Sequence, residues 1–159
     1  DQPWYYVRNL VRLLGRIGGD EHTRILGPHL FHSDHRVQKE AVKSISQMGG
    51  RARAEMLLKA MPDCDDRVKP GIVAALGSLK YRNAVKPLIE LFKSKQNLPE
   101  DIRVDLQEKI CLALGNIGDK EALSFLRGIR KQRGFLRKPY HPAVRAAAAK
   151  ALSRIVAKT

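Results

Sequence analysis

Cysteine is nearly absent: Cys64 and Cys111 are the only two among 159 residues, and they make no CxxC step. Two thiols cannot build a disulfide framework in a chain of this size, and their spacing gives neither a redox motif nor a zinc ribbon. A reducing, cytoplasmic setting is expected. Long apolar runs are missing as well. No stretch approaches the ~20 residues that a membrane span needs, and no charged start leads into an apolar core with a cleavage site. No membrane association is expected. The chain opens on Asp1 rather than Met, as expected of a piece of a longer protein. Aromatic residues make up only 6%, and neither strand-like alternation nor an Asn-Gly hairpin step occurs, so no sheet is expected. Positive charge, in contrast, is in excess: 30 Lys plus Arg stand against 16 Asp plus Glu, a formal charge of +14. With 43% hydrophobic and 29% charged residues the composition is that of a folded chain. At this length, roughly 70% of the unfolded surface is hidden on folding.

The organisation comes from self-similarity. LGRIG (14–18), ISQMG (45–49), LGSLK (76–80), LGNIG (114–118) and LSRIV (152–156) recur, with Leu14, Ile45, Leu76, Leu114 and Leu152 spaced by 31, 31, 38 and 38 residues. Eight residues before these stand Tyr6, Val37, Val68, Leu106 and Val144. Three before them come Val11, Val42, Val73, Cys111 and Ala149, and three after them Ile17, Met48, Leu79, Ile117 and Ile155. Those offsets mark one face of an α-helix, repeated five times. Just after each leading residue comes a small one: Gly15, Ser46, Gly77, Gly115 or Ser153. Glycine inside a helix costs up to about 1 kcal/mol relative to alanine, so close approach of a neighbouring helix is the expected reason for it. Gly18, Gly49 and Gly118 are expected as left-handed helix ends, a pattern from which Lys80 and Val156 depart.

A second apolar set follows in four copies: Ile25, Leu26 and Leu30; Met56, Leu57 and Met61; Pro87, Leu88, Leu91 and Phe92; Phe125, Leu126 and Ile129. Each reads as a second helix after a short turn. Asp34 and Asp65, three residues before the Val that opens the next helix, are expected as N-caps, and Asn97 with Glu100 as a capping box. The expected fold is all-α, four helix pairs and a final helix, in one domain with repeats over about 1–33, 34–64, 65–98, 99–140 and 141–159.

The segments VRNLVRLLGRIG (7–18), VKPGIVAALGSL (68–79) and VRAAAAKALSRI (144–155) resemble HEAT-like repeats of the phycobilisome-lyase type, and the resemblance covers nearly the whole chain. It implies an α-α superhelix, a right-handed solenoid. It implies little about activity, because the matching residues are packing residues. The third and fourth copies each carry seven inserted residues, in KSKQNLPED and RKQRGFLRKPYHP.

Few residues invite chemistry. His29, His32 and His35 beside Asp34 form HxxHxxH, which could gather imidazoles on a metal only if the backbone were helical throughout. Here a helix end falls near Phe31, so the expectation is a partly buried His29, an exposed turn His32 and a His35 in the next helix's first turn. Deoxyhypusine hydroxylases, a metal-dependent family of similar repeats, are marked by His-Glu pairs, and the chain has no His-Glu step. Cys111 falls in a core slot, and the carboxylates around Cys64 would raise its pKa. Asp63, Asp65 and Asp66 are a weak cation candidate, since capping already accounts for Asp65. No phosphate loop, serine elbow or paired-carboxylate signature is present. No cofactor, metal site or catalytic residue is expected. Trp4, Tyr5 and Tyr6 read either as a partner anchor or as cover for an apolar repeat face, and the second is preferred.

Charge distribution is the strongest signal beyond packing. From Ala122 to Thr159 stand Arg127, Arg130, Lys131, Arg133, Arg137, Lys138, Arg145, Lys150, Arg154 and Lys158, with no acidic residue. Phe135 and Tyr140 interleave the inserted part, which suits phosphate or carboxylate contacts beside an aromatic platform. Arg8, Arg12 and Arg16 add a stripe on the first helix. The expected binding residues are Arg127, Arg130, Lys131, Arg133, Phe135, Arg137, Lys138, Tyr140 and Arg145. The leading expectation is a non-catalytic scaffold for an acidic protein partner. Nucleic-acid backbone binding is the alternative, and bilin-lyase activity, implied only by the resemblance, ranks last.

Overall fold

The computed structural model describes residues 2–49, 52–94, 97–131 and 139–157, and among them there are helices and turns but no strand. The chain divides into two compact units, Asp1–Ala75 and Leu76–Thr159.

In the first unit α1 (Trp4–Ile17) leads through Gly18 and Gly19 into α2 (Asp20–Leu26), which tightens into a 3-10 turn over Gly27–Phe31. Then come α3 (His35–Gln47), α4 (Ala52–Ala60) and α5 (Lys69–Ser78), whose last turn passes the unit boundary. The α1 and α3 helices pack side by side, while α3 also covers the 3-10 turn. The core is Val11, Leu26, Leu30, Val37, Ile45, Met48, Leu57 and Ile72, each essentially closed to solvent. In the second unit a short 3-10 turn precedes α6 (Val85–Ser94), followed by α7 (Glu100–Ile117), α8 (Ala122–Lys131) and α9 (Pro142–Val156). There α9 packs against both α7 and α8 around Leu88, Phe92, Ile110, Leu114, Leu126 and Val144.

The small residue after each leading position is explained by contact. A Cβ built on Gly15 would lie 2.5 Å from Ser44 Cβ, one on Gly77 would lie 2.7 Å from Ala113 Cα, and one on Gly115 would lie 2.6 Å from Ala151 Cα. Real carbons do not approach so closely, so these glycines let neighbouring first helices touch backbone to backbone.

The helix ends follow the sequence in part. Asp34 caps α3 by accepting from Arg36 N at 2.8 Å, and Asp65 accepts from Arg67 N at 2.8 Å ahead of α5. Gly18 and Gly118 have positive φ of 75° and 78°. Gly49 does not: Met48 ends α3 in an extended conformation that turns its side chain into the core. Lys80 takes the expected glycine geometry itself, with φ 51°. Its N–H donates to the Gly77 carbonyl and that of Tyr81 to the Leu76 carbonyl, the two bonds of a Schellman ending. The Asn97–Glu100 capping box is not formed. Pro99 is the N-cap of α7, and because proline disfavours helical geometry in the residue before it, Asn97 is held upstream of the helix start.

Two more expectations change. Tyr6 and Ile17, aligned with core residues of later copies, are 49% and 69% exposed, because among the described residues no helix covers their side of α1. His32 is half-buried rather than exposed, its Nδ1 accepting from Asp34 N at 3.0 Å.

Candidate functional site

Of the nine expected binding residues the structure describes Arg127, Arg130, Lys131, Tyr140 and Arg145. On α8 the buried residues Ala122, Leu126 and Ile129 define the inner face. At 100° per residue that turns Arg127 and Lys131 outward, one turn apart, with Arg130 to one side, and all three are exposed. None of them forms an ion pair with a described carboxylate. Arg133, Phe135, Arg137 and Lys138 lie outside the described residues. Tyr140 is drawn inward, its ring centroid 5.4 Å from that of Phe92 in an edge-to-face contact, while Phe125 meets the same Phe92 ring at 5.1 Å. The Tyr140 ring thus serves the core of its own unit.

Arg145 stands on α9 beside a recess of about 390 Å³ whose walls include Glu100, Arg103, Gln107, Tyr140 and His141. Seven residues before each leading position the chain carries Val7, Gln38, Lys69, Gln107 and Arg145. Gln38, Lys69 and Gln107 are buried, whereas Arg145 is exposed. Gln38 Nε2 donates to the His32 carbonyl at 2.6 Å, and Lys69 Nζ pairs with Asp66 at 2.7 Å. Other members of the basic stretch point elsewhere: Arg154 is tied to Asn116 Oδ1, and Lys150 lies on the exposed side of α9.

The histidines and acids of the first unit are held by structural bonds. The rings of His29 and His32 are 6.5 Å apart and tilted, and burial, then His32, holds the His29 pKa below its usual value. His35 opens α3. Asp65 is paired with Arg67 and Asp66 with Lys69, leaving Asp63 in solvent. Among the described residues no three His, Cys, Asp or Glu side chains converge as a metal group would need. Cys111 is fully buried, and burial with the nearby Glu108 pushes its thiol up to about 12. Burial likewise raises Cys64, whose Sγ points at the Leu30 carbonyl 3.5 Å away. A thiol held in its neutral form is a poor nucleophile.

Sequence reasoning missed the outer face of α1. Tyr6, Leu10, Leu13 and Ile17 are 44–69% exposed, and Ile25 on α2 is 52% exposed. The signal was there to read: one residue before the leading position the other copies carry Ser44, Ala75, Ala113 and Ala151, and α1 carries Leu13. Trp4 is not part of this face. Its ring lies under the Arg36 guanidinium at 3.4 Å from the centroid, with Arg8 at 5.3 Å, so it joins α1 to the start of α3.

These paired helices, meeting through small residues in register, are what the HEAT-repeat profile describes, and that profile matches residues 1–69 and 54–138. The chain belongs to the HEAT-repeat family, and its fold is the all-helical α-solenoid type. HEAT repeats generally serve as protein-interaction scaffolds and are typically non-catalytic. No curated protein matches the chain at a significant level. Among the described residues no helix is long and apolar enough to cross a membrane.

Proposed function

We propose that the chain is a non-catalytic scaffold that holds an acidic protein surface through Arg127, Arg130 and Lys131 of α8 and Arg145 of α9. Arg133, Phe135, Arg137 and Lys138, which lie outside the described residues, belong to the same proposal by sequence, and Tyr140 enters it as a wall of the recess that Arg145 also lines. The observation that supports this is the trio on α8: three exposed cations without a described carboxylate partner, in a stretch with no acidic residue, on a chain of charge +14. Uncompensated cations of this kind steer and orient an acidic partner more than they stabilise a fold. A reducing, cytoplasmic setting suits the two buried free thiols.

The same cations suit a phosphate backbone, which makes nucleic acid the second reading. Bilin-lyase activity ranks below both, since the segments that resemble such proteins build the repeats. Fluorescence anisotropy with a labelled Glu-rich peptide, duplex DNA and single-stranded DNA at low and near-physiological salt separates these readings. The expected result is peptide binding that Arg127→Glu with Lys131→Glu weakens by about tenfold or more. DNA binding that survives near-physiological salt would favour nucleic acid. Unchanged affinity for every probe in the variant would remove α8 from the function.

A further inference from the structure

The start of α9 lacks the carboxylates that its counterparts carry. In the third copy Asp65 and Asp66 stand eleven and ten residues before the leading Leu76, and Lys69 stands seven before it. Asp65 accepts from Arg67 N at 2.8 Å, and Asp66 pairs with Lys69 at 2.7 Å. In the second copy Asp34 plays the part of Asp65, accepting from Arg36 N at 2.8 Å. Counted back from Leu152, the same three positions of the last copy hold His141, Pro142 and Arg145. The cation is kept while both acids are gone. The stretch from Ala122 to Thr159 has no acidic residue that could replace them. His141 serves the cap alone: its Nδ1 accepts from Ala143 N at 3.3 Å, which leaves the ring proton on Nε2 as a further donor.

Arg145 is exposed and lines the recess of about 390 Å³ between the start of α7 and the start of α9. Among the described walls the one carboxylate is Glu100, which lies 4.0 Å from the Arg103 guanidinium. Arg145 thus faces open volume where Lys69 of the third copy has its acid. A carboxylate entering there would meet a planar guanidinium fork, with the positive end of the α9 dipole behind it. The neighbouring surface limits what can carry that carboxylate. A second recess of about 500 Å³ shares Glu100, Val104 and His141 with the first and adds Asp101, Asp105 and Glu108. These acids repel negative charge arriving along α7. A phosphate backbone or a run of glutamates laid across the recess would meet them, whereas one carboxylate with neutral or basic neighbours would not. We infer that the recess between α7 and α9 receives a single Asp or Glu side chain of a protein partner on Arg145, as Asp66 serves Lys69, and that the partner segment crossing α7 is not a polyanion. The inference rests on the reading of the chain as a scaffold for an acidic partner, and it names the group that the α9 cation takes.

The test follows the Arg145 Nε–H signal of the full, isotope-labelled chain by NMR, the signal being assigned by its loss in Arg145→Gln. The probes are a Lys-flanked peptide with one Glu, its Gln counterpart, a Glu-rich peptide and single-stranded DNA. The expected result is a saturable shift with the one-Glu peptide and binding of the Gln counterpart weaker by about tenfold or more. Pro142→Asp rebuilds on α9 the i, i+3 pair that Asp66 makes with Lys69, and should abolish the response with Arg145 still present; thermal melts confirm that this variant is folded. Asp101→Asn with Asp105→Asn should raise the affinity of the Glu-rich peptide at the Arg145 signal by about threefold or more and leave that of the one-Glu peptide no higher. The α8 variant Arg127→Glu with Lys131→Glu should keep the one-Glu response, so that the recess is tested apart from the wider surface: loss of Glu-rich binding at α8 leaves it standing. Equal affinity for the Glu and Gln peptides, or a Glu response unchanged in Pro142→Asp, would overturn the inference even where the Glu-rich peptide binds α8. So would single-stranded DNA that binds at the Arg145 signal more tightly than the one-Glu peptide, which would give the recess to a phosphate backbone.

Discussion

Lys80 shows how a single residue can carry strain that its neighbours in register avoid. It closes α5 in a left-handed conformation, φ 51°, where Gly118 closes α7 with φ 78°. A side chain in that region costs about 1–2 kcal/mol, part of which glycine returns through its freer unfolded state. Lys80→Gly should therefore stabilise the fold by about 0.5–1 kcal/mol, seen as a rise of a few degrees in the thermal midpoint; a lower midpoint would mean that the lysine side chain has a role of its own. Asp34 and Asp65 offer a test by pH. Hydrogen bonds from the Arg36 and Arg67 guanidinium groups, with the bonded backbone N–H groups, hold both carboxyls well below the usual carboxylate range. Because the folded pKa is depressed, the contribution is complete above the unfolded value of about 4 and is lost as pH falls below it. Asn can still cap but cannot ionise. The double variant Asp34→Asn with Asp65→Asn should thus lose less of its thermal midpoint between about pH 6 and pH 3 than the wild type does. Equal losses would show that these two pairs do not shape acid stability.

At the scale of helices, the contact between first helices depends on what is missing from their surfaces. Gly115→Ala would improve helix propensity by up to about 1 kcal/mol, yet its Cβ would sit 2.6 Å from Ala151 Cα. Overpacking of that kind costs about 1–3 kcal/mol, and because the obstacle is backbone, α7 and α9 would have to move apart. Gly128 on α8 has nothing within 4 Å of its built Cβ. Gly128→Ala should therefore stabilise by up to about 1 kcal/mol while Gly115→Ala destabilises, and chemical denaturation of the pair checks both signs. The packing glycines could be foreseen because one residue type at one register position has one physical use. Repeat length and the order of helices were legible for the same reason. The helix ends were less so. Gly49 and Asn97 are residues that commonly end or cap helices, but a buried Met48 and a rigid Pro99 decide those positions. The candidate site was least legible, since a run of like charges along a chain says nothing of which way each side chain points. Helical geometry sends Arg127 outward, ties Arg154 to Asn116 and leaves Arg145 beside Tyr140.

For the molecule as a whole, the charge of +14 sets the terms. Ion pairs among the described residues are mostly short-range: Arg36 with Asp34, Arg67 with Asp65, Lys59 with Glu55. Such exposed pairs contribute little to stability and do not offset the summed repulsion of the remaining cations. Arg145 is the clearest case. It lies four residues into α9, near the positive end of the helix dipole, at a register position where other copies bury Gln38, Gln107 and a Lys69 that is paired with Asp66, whereas no described carboxylate pairs with Arg145. A cation there opposes both the dipole and the net charge, so the fold alone gives no reason for it. Arg145→Gln should raise the thermal midpoint at low salt by the equivalent of about 0.3–1 kcal/mol, and the gain should shrink as salt shortens the screening length to about 10 Å near 0.1 M. The same substitution should weaken binding of an acidic partner. Lys131, in the last turn of α8, is the contrast, because a cation there complements its dipole and its removal should not stabilise. If Arg145→Gln lowers stability at every salt concentration, the arginine is a packing or bonding element of α9. If it raises stability and lowers affinity together, Arg145 is a residue whose cost to the fold is kept for the sake of a partner.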